Sequence, residues 1–184
     1  MPRLFLYVSL LMLLACGDSP QPKPNGFLAL NYEKASYTKS NLDCPFRFEA
    51  NTQSRLETKA SKPCWMTIHY PKMNAKIYLT YTPIQNNLRA LLLDAQKLPE
   101  KHSIKADRID ASVYENPAKR TYGNFYKVEG DAASQAQFYL TDSTSHFLTG
   151  SVYFDAIPHY DSILPAADYL QNDMKHLIET LEWK

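Results

Sequence analysis

Apolar and polar residues alternate with a period of two through most of the chain. Phe46, Phe48 and Ala50 alternate with Arg47 and Glu49, the pattern of a half-buried strand. Trp65–Tyr70 repeats it, with Met66, Ile68 and Tyr70 on one side and Trp65, Thr67 and His69 on the other. Lys76–Thr82 follows, turning Ile77, Leu79 and Tyr81 inward. The intervening Pro71-Lys72-Met73-Asn74 carries turn residues, so these two runs are expected to pair as an antiparallel hairpin. Strand signals also begin at Phe27–Tyr32 and recur at Tyr122–Glu129, Gln135–Thr141 and His146–Asp155. The connection Asp142-Ser143-Thr144-Ser145 is rich in side chains that bond their own backbone, which predicts another hairpin turn.

Two stretches switch to helical spacing. Leu88, Leu91, Leu92, Ala95 and Leu98 form a stripe that Asn86 or Asn87 can cap and Pro99 breaks or kinks. A short turn is expected over His102–Ile109. A longer helix starts near Asp161–Ser162, tolerates Pro165 in its first turn, and lines up Leu164, Ala167, Leu170, Met174, Leu177, Ile178 and Leu181. Hairpin-length connections and few helices predict an α+β fold. Its mostly antiparallel sheet has about six strands, covered by a central helix and a long C-terminal helix.

The start of the chain has a different character. A short charged start and an apolar run from Leu4 to Ala15 precede Cys16. The run is shorter than the roughly 20 residues that span a bilayer and suits a signal-peptide core. Leu13-Leu14-Ala15-Cys16 has the form of a bacterial lipobox, with the Cys16 thiol as acceptor of the lipid; an ordinary secretory leader is the alternative. Residues 1–15 then read as a lipoprotein signal peptide and 16–26 as a lipidated cysteine with a Pro-rich tether. Residues 27–184 remain as one α+β domain. Asp18–Gly26 holds three prolines, and nine residues at about 3.1 Å each would lift the domain roughly 30 Å from the bilayer.

This placement changes the meaning of the composition. The chain has 20 Lys+Arg and 19 Asp+Glu, and Arg3 lies in the leader, so the mature chain is left without net charge. No basic excess is present to neutralise nucleic-acid phosphates, and attachment to a membrane must come from acyl chains on Cys16. Cys44 and Cys64 remain as an even pair in an oxidising compartment, which reads as a disulfide, two buried thiols being the alternative.

Candidate chemistry is sparse. His69, His102, His146, His159 and His176 lie outside the HExxH, CxxC, GxSxG, SxxK and P-loop patterns, so no cofactor or metal is expected. His176 and Glu179, three apart on a helix, offer only two ligands. Asp142, Ser143 and His146 place all three triad residue types on one turn, but a triad is defined by geometry, and no catalytic residue is expected. Thirteen tyrosines and two tryptophans suggest an interaction surface. Trp65, Tyr78 and Tyr139 on the outer sheet face, with His146 nearby, are its candidates; β propensity and a hydroxyl-tolerant core are the plainer explanation.

Pro63-Cys-Trp-Met-Thr-Ile-His-Tyr-Pro71, Lys101-His-Ser-Ile-Lys-Ala-Asp107, Gln137–Phe154 and His176–Lys184 resemble the GldD family of gliding-motility lipoproteins over nearly the whole mature chain. The resemblance implies a Bacteroidota-type envelope protein required for gliding motility and coupled to the type IX secretion machinery. It implies partners among those envelope components and carries over no catalytic residue. Two function classes follow. One is a non-enzymatic accessory, membrane-anchored and facing the periplasm, that works through protein–protein contacts. The other is an envelope lipoprotein binding a small ligand or glycan, or less plausibly a hydrolase using the Asp142–His146 turn. A pocket of convergent polar groups near that turn favours the second class; a flat exposed aromatic patch favours the first.

Overall fold

The computed structural model describes residues 30–100, 103–155 and 159–184. Eleven strands and two α-helices are described: β1 (Tyr37–Lys39), β2 (Phe46–Arg47), β3 (Glu49–Asn51), β4 (Arg55–Lys59), β5 (Lys62–Tyr70), β6 (Ala75–Pro83), α1 (Leu88–Glu100), β7 (Arg108–Asn116), β8 (Thr121–Glu129), β9 (Ala136–Thr141), β10 (His146–Phe154), α2 (Tyr160–Thr180) and β11 (Glu182–Trp183). Seven strands form one sheet in the order β4-β5-β6-β10-β9-β8-β7, and every neighbouring pair is antiparallel. Two short ribbons, β1–β3 and β2–β11, stand beside it. The fold is α+β as expected, with seven strands in the main sheet rather than about six.

Register assigns the two faces. Met66, Ile68 and Tyr70 of β5 lie opposite Leu79, Ile77 and Ala75 of β6, which lie opposite Gly150, Val152 and Phe154 of β10. This inner face meets the apolar stripe of α2, where Leu170, Met174 and Leu177 are buried, and the ribbon residues Phe46, Phe48 and Ala50. Gly150 is needed here: a Cβ on it would collide with the ring of Phe138 on the neighbouring strand. Leu181 belongs to the same core although the helix ends before it; its backbone is already extended, which turns the chain into β11.

The other face is covered only in part. Ala95 of α1 packs with Tyr126, Tyr139 and Phe147, and Leu88, Leu91 and Leu92 lean on that cluster. Helix α1 therefore shields the β8–β9 side and the end of β10. Pro99 falls in its last turn and does not end it early, since the helix runs to Glu100.

Several expectations change. Leu30–Tyr32, the described part of the first expected strand, is not a strand; Tyr32 instead packs edge-on against Tyr169 at 5.6 Å. The run Pro45–Ala50 divides between two ribbons, β2 and β3. The turn expected over 102–109 is a 3₁₀ turn at Ser103–Lys105, and Arg108 and Ile109 already belong to β7. Strands β4 and β7 are the sheet edges and went unseen in the pattern, because β4 offers Leu56 as its one large apolar side chain and β7 is mostly exposed. Cys16, the leader and the tether lie outside the described residues.

Cys44 and Cys64 are joined by a disulfide, with Cα atoms 5.6 Å apart. A second clasp is polar. Asp173 of α2, buried at 5 % exposure, accepts the Tyr37 hydroxyl and the Asn51 side-chain amide, each at 2.7 Å. Asn51 also reaches the Tyr169 hydroxyl at 2.8 Å. Burial, then the charge and hydrogen bond of Asp173, push the Tyr70 hydroxyl far above its ordinary range. Tyr37 is raised in the same direction, chiefly by burial and then by Asp173. The cluster holds the β1–β3 ribbon on α2.

Candidate functional site

Two surfaces concentrate unusual side chains. The first is the part of the outer sheet face that α1 leaves open. Trp65, Thr67 and His69 of β5 lie opposite Thr80, Tyr78 and Lys76 of β6, and these opposite Thr149, Ser151 and Tyr153 of β10. Tyr78 is 43 % exposed and Trp65 36 %, high values for aromatic side chains in interior strands of a sheet. Tyr78 and Tyr153 meet edge to face at 5.7 Å. The Lys62 ammonium sits 3.6 Å above the Trp65 ring, a cation–π contact, and the Trp65 indole N–H donates to the Tyr81 carbonyl at 2.9 Å. These contacts fix the aromatics in place while leaving their surfaces exposed. Around the strip, Lys76 pairs with Asp155 at 2.5 Å and His69 lies 3.6 Å from Glu57.

Tyr139 does not join this strip. It faces the same side of the sheet but is buried at 7 % exposure beneath α1, stacked on Phe147 at 5.8 Å. Strand β9 is covered on both faces and every residue of it is buried, so alternation in its sequence carries no information about exposure. Tyr153 and Lys62 were missed as members of the strip, whereas alternation puts His69 on the same face as Trp65. Only the pairing of β10 with β6 brings Tyr153 to Tyr78.

The second surface is a cleft of about 500 Å³ at one end of the sheet, lined by Lys119, Arg120, Asp142, His146, Trp183 and Lys184 among others. Its floor is the His146 imidazole, stacked on the Trp183 indole at 5.1 Å with planes 8° apart. A hydrogen bond of 2.9 Å joins His146 Nδ1 to the Tyr81 hydroxyl. One wall is the turn between β7 and β8, where Arg120 holds a left-handed backbone (φ 48°) and reaches the Thr144 hydroxyl at 3.2 Å.

Asp142 is fully engaged in shaping its own turn. One carboxylate oxygen accepts the backbone N–H groups of Thr144, Ser145 and His146 at 2.8–2.9 Å, and the other accepts the Thr144 hydroxyl at 2.7 Å. Burial alone would raise its pKa, but these hydrogen bonds outweigh burial and hold the carboxyl well below the usual range. Ser143 borders a different groove, beside Leu88, Tyr122 and Tyr139 on the outer face, while Asp142 and His146 line the cleft. Ser143 thus lines a different groove from Asp142 and His146, and the hydrogen bond of the His146 ring is made to Tyr81. His176 is likewise engaged away from Glu179: Nε2 lies 2.9 Å from Glu49 Oε2, and its ring stacks on Tyr37 at 3.6 Å.

Among the described residues no helix is long and apolar enough to cross a membrane. A seven-stranded antiparallel sheet with a helix on each face, one half-bare aromatic strip and a polar cleft defines a small α+β domain. Residues 17–183 match the family model described as gliding motility lipoprotein GldD, and the chain belongs to that family. No individual curated protein matches it. Membership implies a role in gliding motility and a lipoprotein held at a membrane of the cell envelope.

Proposed function

We propose that the chain is a non-catalytic accessory of the gliding apparatus and of the coupled type IX secretion machinery. It is anchored by acyl chains on Cys16, faces the periplasm, and engages another envelope protein through the Trp65–Tyr78–Tyr153 strip. The observation that carries this reading is the strip itself. The open face of an antiparallel sheet normally carries polar residues, and exposed aromatics held rigid there by their neighbours resemble the half-apolar, half-wet centre of a protein interface. The different grooves lined by Ser143 and His146 and the saturation of the Asp142 carboxylate support a role without catalysis.

The test is a deletion of the gene in its native host, complemented in turn and scored for colony spreading and for secretion of surface adhesins. Wild type restores both. A Trp65→Ala/Tyr78→Ala variant, whose changes are at the surface, folds with an unaltered circular dichroism spectrum and restores neither. Cys16→Ala leaves the membrane fraction and fails as well. Full complementation by the double variant rules out the strip, and normal spreading of the deletion strain overturns the motility role.

A second reading, an envelope lipoprotein that binds a small ligand or glycan, is favoured by the cleft beside the Asp142–His146 turn.

A further inference from the structure

The β5–β6 and β7–β8 hairpins are built alike. Each joins two nine-residue strands through a 3₁₀ turn that begins with proline and closes on a left-handed residue: Pro71–Met73 then Asn74, and Pro117–Lys119 then Arg120. The closing residues have almost the same backbone, φ 47° and ψ 46° at Asn74, φ 48° and ψ 45° at Arg120. In both, the closing N–H donates to the carbonyl of the proline. Asparagine adopts this conformation readily, whereas arginine is strained there. The same turn is thus made cheaply at one end of the sheet and at a cost at the other. Strain of this kind concentrates at functional sites.

The costly turn is the one that borders the cleft. The Arg120 guanidinium has five N–H donors and bonds the Thr144 hydroxyl through one of its nitrogens. Lys119 and Lys184 line the same cleft, each steadied by a backbone carbonyl, Glu179 at 2.7 Å and Leu42 at 2.9 Å. Of the two carboxylates in the cleft, one is paired with a cation and the other is hydrogen-bonded but keeps its charge. Glu182 is held by Arg47 at 2.7 Å, which lowers its pKa, and Asp142 is saturated by its own turn. Lys119, Arg120 and Lys184 therefore outnumber the one carboxylate without a cationic partner, Asp142, around a floor of stacked indole and imidazole, and the indole Nε1 of Trp183 is buried without a hydrogen-bond partner.

We propose that this cleft is a binding site for an anionic group, a phosphate or a carboxylate. Arg120 is its principal ligand, Lys119 and Lys184 supply the surrounding field, and the Trp183–His146 stack is its aromatic floor. A planar guanidinium is matched to both oxyanions and binds them in bidentate fashion. The proposal deepens the ligand-binding reading and is independent of the contact made by the sheet strip.

The chain has two tryptophans, so Trp65→Phe leaves Trp183 as the sole indole and a reporter within the cleft. Full-length Trp65→Phe protein in detergent is titrated with inorganic phosphate, with malonate and with chloride at matched ionic strength, and Trp183 emission is followed. The expected result is a saturable change with phosphate, malonate or both, in the millimolar range, and none with chloride. Phosphate alone points to a phosphorylated ligand or lipid headgroup, and malonate alone to a carboxylate such as a peptide terminus. Arg120→Asn keeps the left-handed turn, so it should raise Tm by about 2–4 °C while weakening the anion about tenfold or more, the loss expected for a charge-assisted hydrogen bond. A change shared equally by chloride, no change with either anion, or unaltered binding in Arg120→Asn overturns the proposal. None of these results depends on motility, so failure here leaves the contact reading intact.

Discussion

Replacing Asp173 by alanine tests how the N-terminal ribbon is held. The carboxylate is 5 % exposed, accepts side-chain hydrogen bonds of 2.7 Å from Tyr37 and Asn51, and also faces the buried Tyr70 hydroxyl. A hydrogen bond to a charged acceptor contributes about 1.5–3 kcal/mol, and a buried donor left without its partner adds its own desolvation. Asn51, 3 % exposed, keeps the Tyr169 hydroxyl at 2.8 Å, and Tyr37 is half-buried, so both losses are softened. The expected cost is then about 3–4 kcal/mol, a large share of a typical domain stability of about 5–15 kcal/mol. Urea unfolding followed by circular dichroism should show a lower midpoint with an unchanged slope. Tyr37→Phe should cost about 1–2 kcal/mol alone and almost nothing once Asp173 is gone, because the two share one bond. An Asp173→Ala protein within about 1 kcal/mol of wild type, or a Tyr37→Phe cost equal in both backgrounds, would refute the reasoning.

The same cluster predicts the alkaline limit. Tyr37 and Tyr70 are raised above their ordinary 10.0 in the folded state, so their neutral hydroxyls contribute fully below about pH 10 and that contribution is lost as pH rises beyond it. Phenolate absorbance should therefore appear together with unfolding for these two residues, and a titration preceding unfolding would contradict their burial. Reducing Cys44–Cys64, or replacing both by serine, should cost about 3 kcal/mol for a loop of 20 residues, read from the urea midpoint. Asp142→Asn should cost about 1–2 kcal/mol at neutral pH. Its effect should shrink in acid: the depressed carboxyl stabilises the fold above its ordinary 3.8, and this is lost as pH falls below that value. An acid unfolding profile identical to wild type would remove Asp142 from that role.

The central hairpin was legible in sequence because one face of β5 and β6 is buried and the other open, the condition under which alternation is informative. Met66, Ile68, Ile77 and Leu79 are all buried where the pattern put them. The stripe of α2 was legible for the same reason. Alternation failed on β9, where both faces are covered and Tyr139 is hidden, and on the edges β4 and β7, where little is buried. At the sites, Trp65 and Tyr78 could be placed on the outer face by alternation. The cleft could not be found that way: Arg120, His146 and Trp183 come from a turn, a strand start and the last ribbon, and only the fold of the sheet end gathers them. Their local signals are weak, since an arginine in a Pro-x-x-Arg turn gives no hint of a left-handed backbone.

The disulfide also determines how the domain meets a pulling load. Traction applied from the N-terminal side would first peel the three-residue β1 from β3 and free the chain as far as Cys44. There the covalent bridge passes the load directly to Cys64 in β5, an interior strand of the seven-stranded sheet. Residues 45–63, with β2, β3 and β4, are bypassed and cannot be drawn out. From residue 30 the give is about 50 Å, at 3.3–3.6 Å per extended residue. Beyond that length further extension requires the hydrogen-bonded pairing of β5 with its sheet neighbours to break, so the load falls on the interior of the seven-stranded sheet and not on its short ribbons.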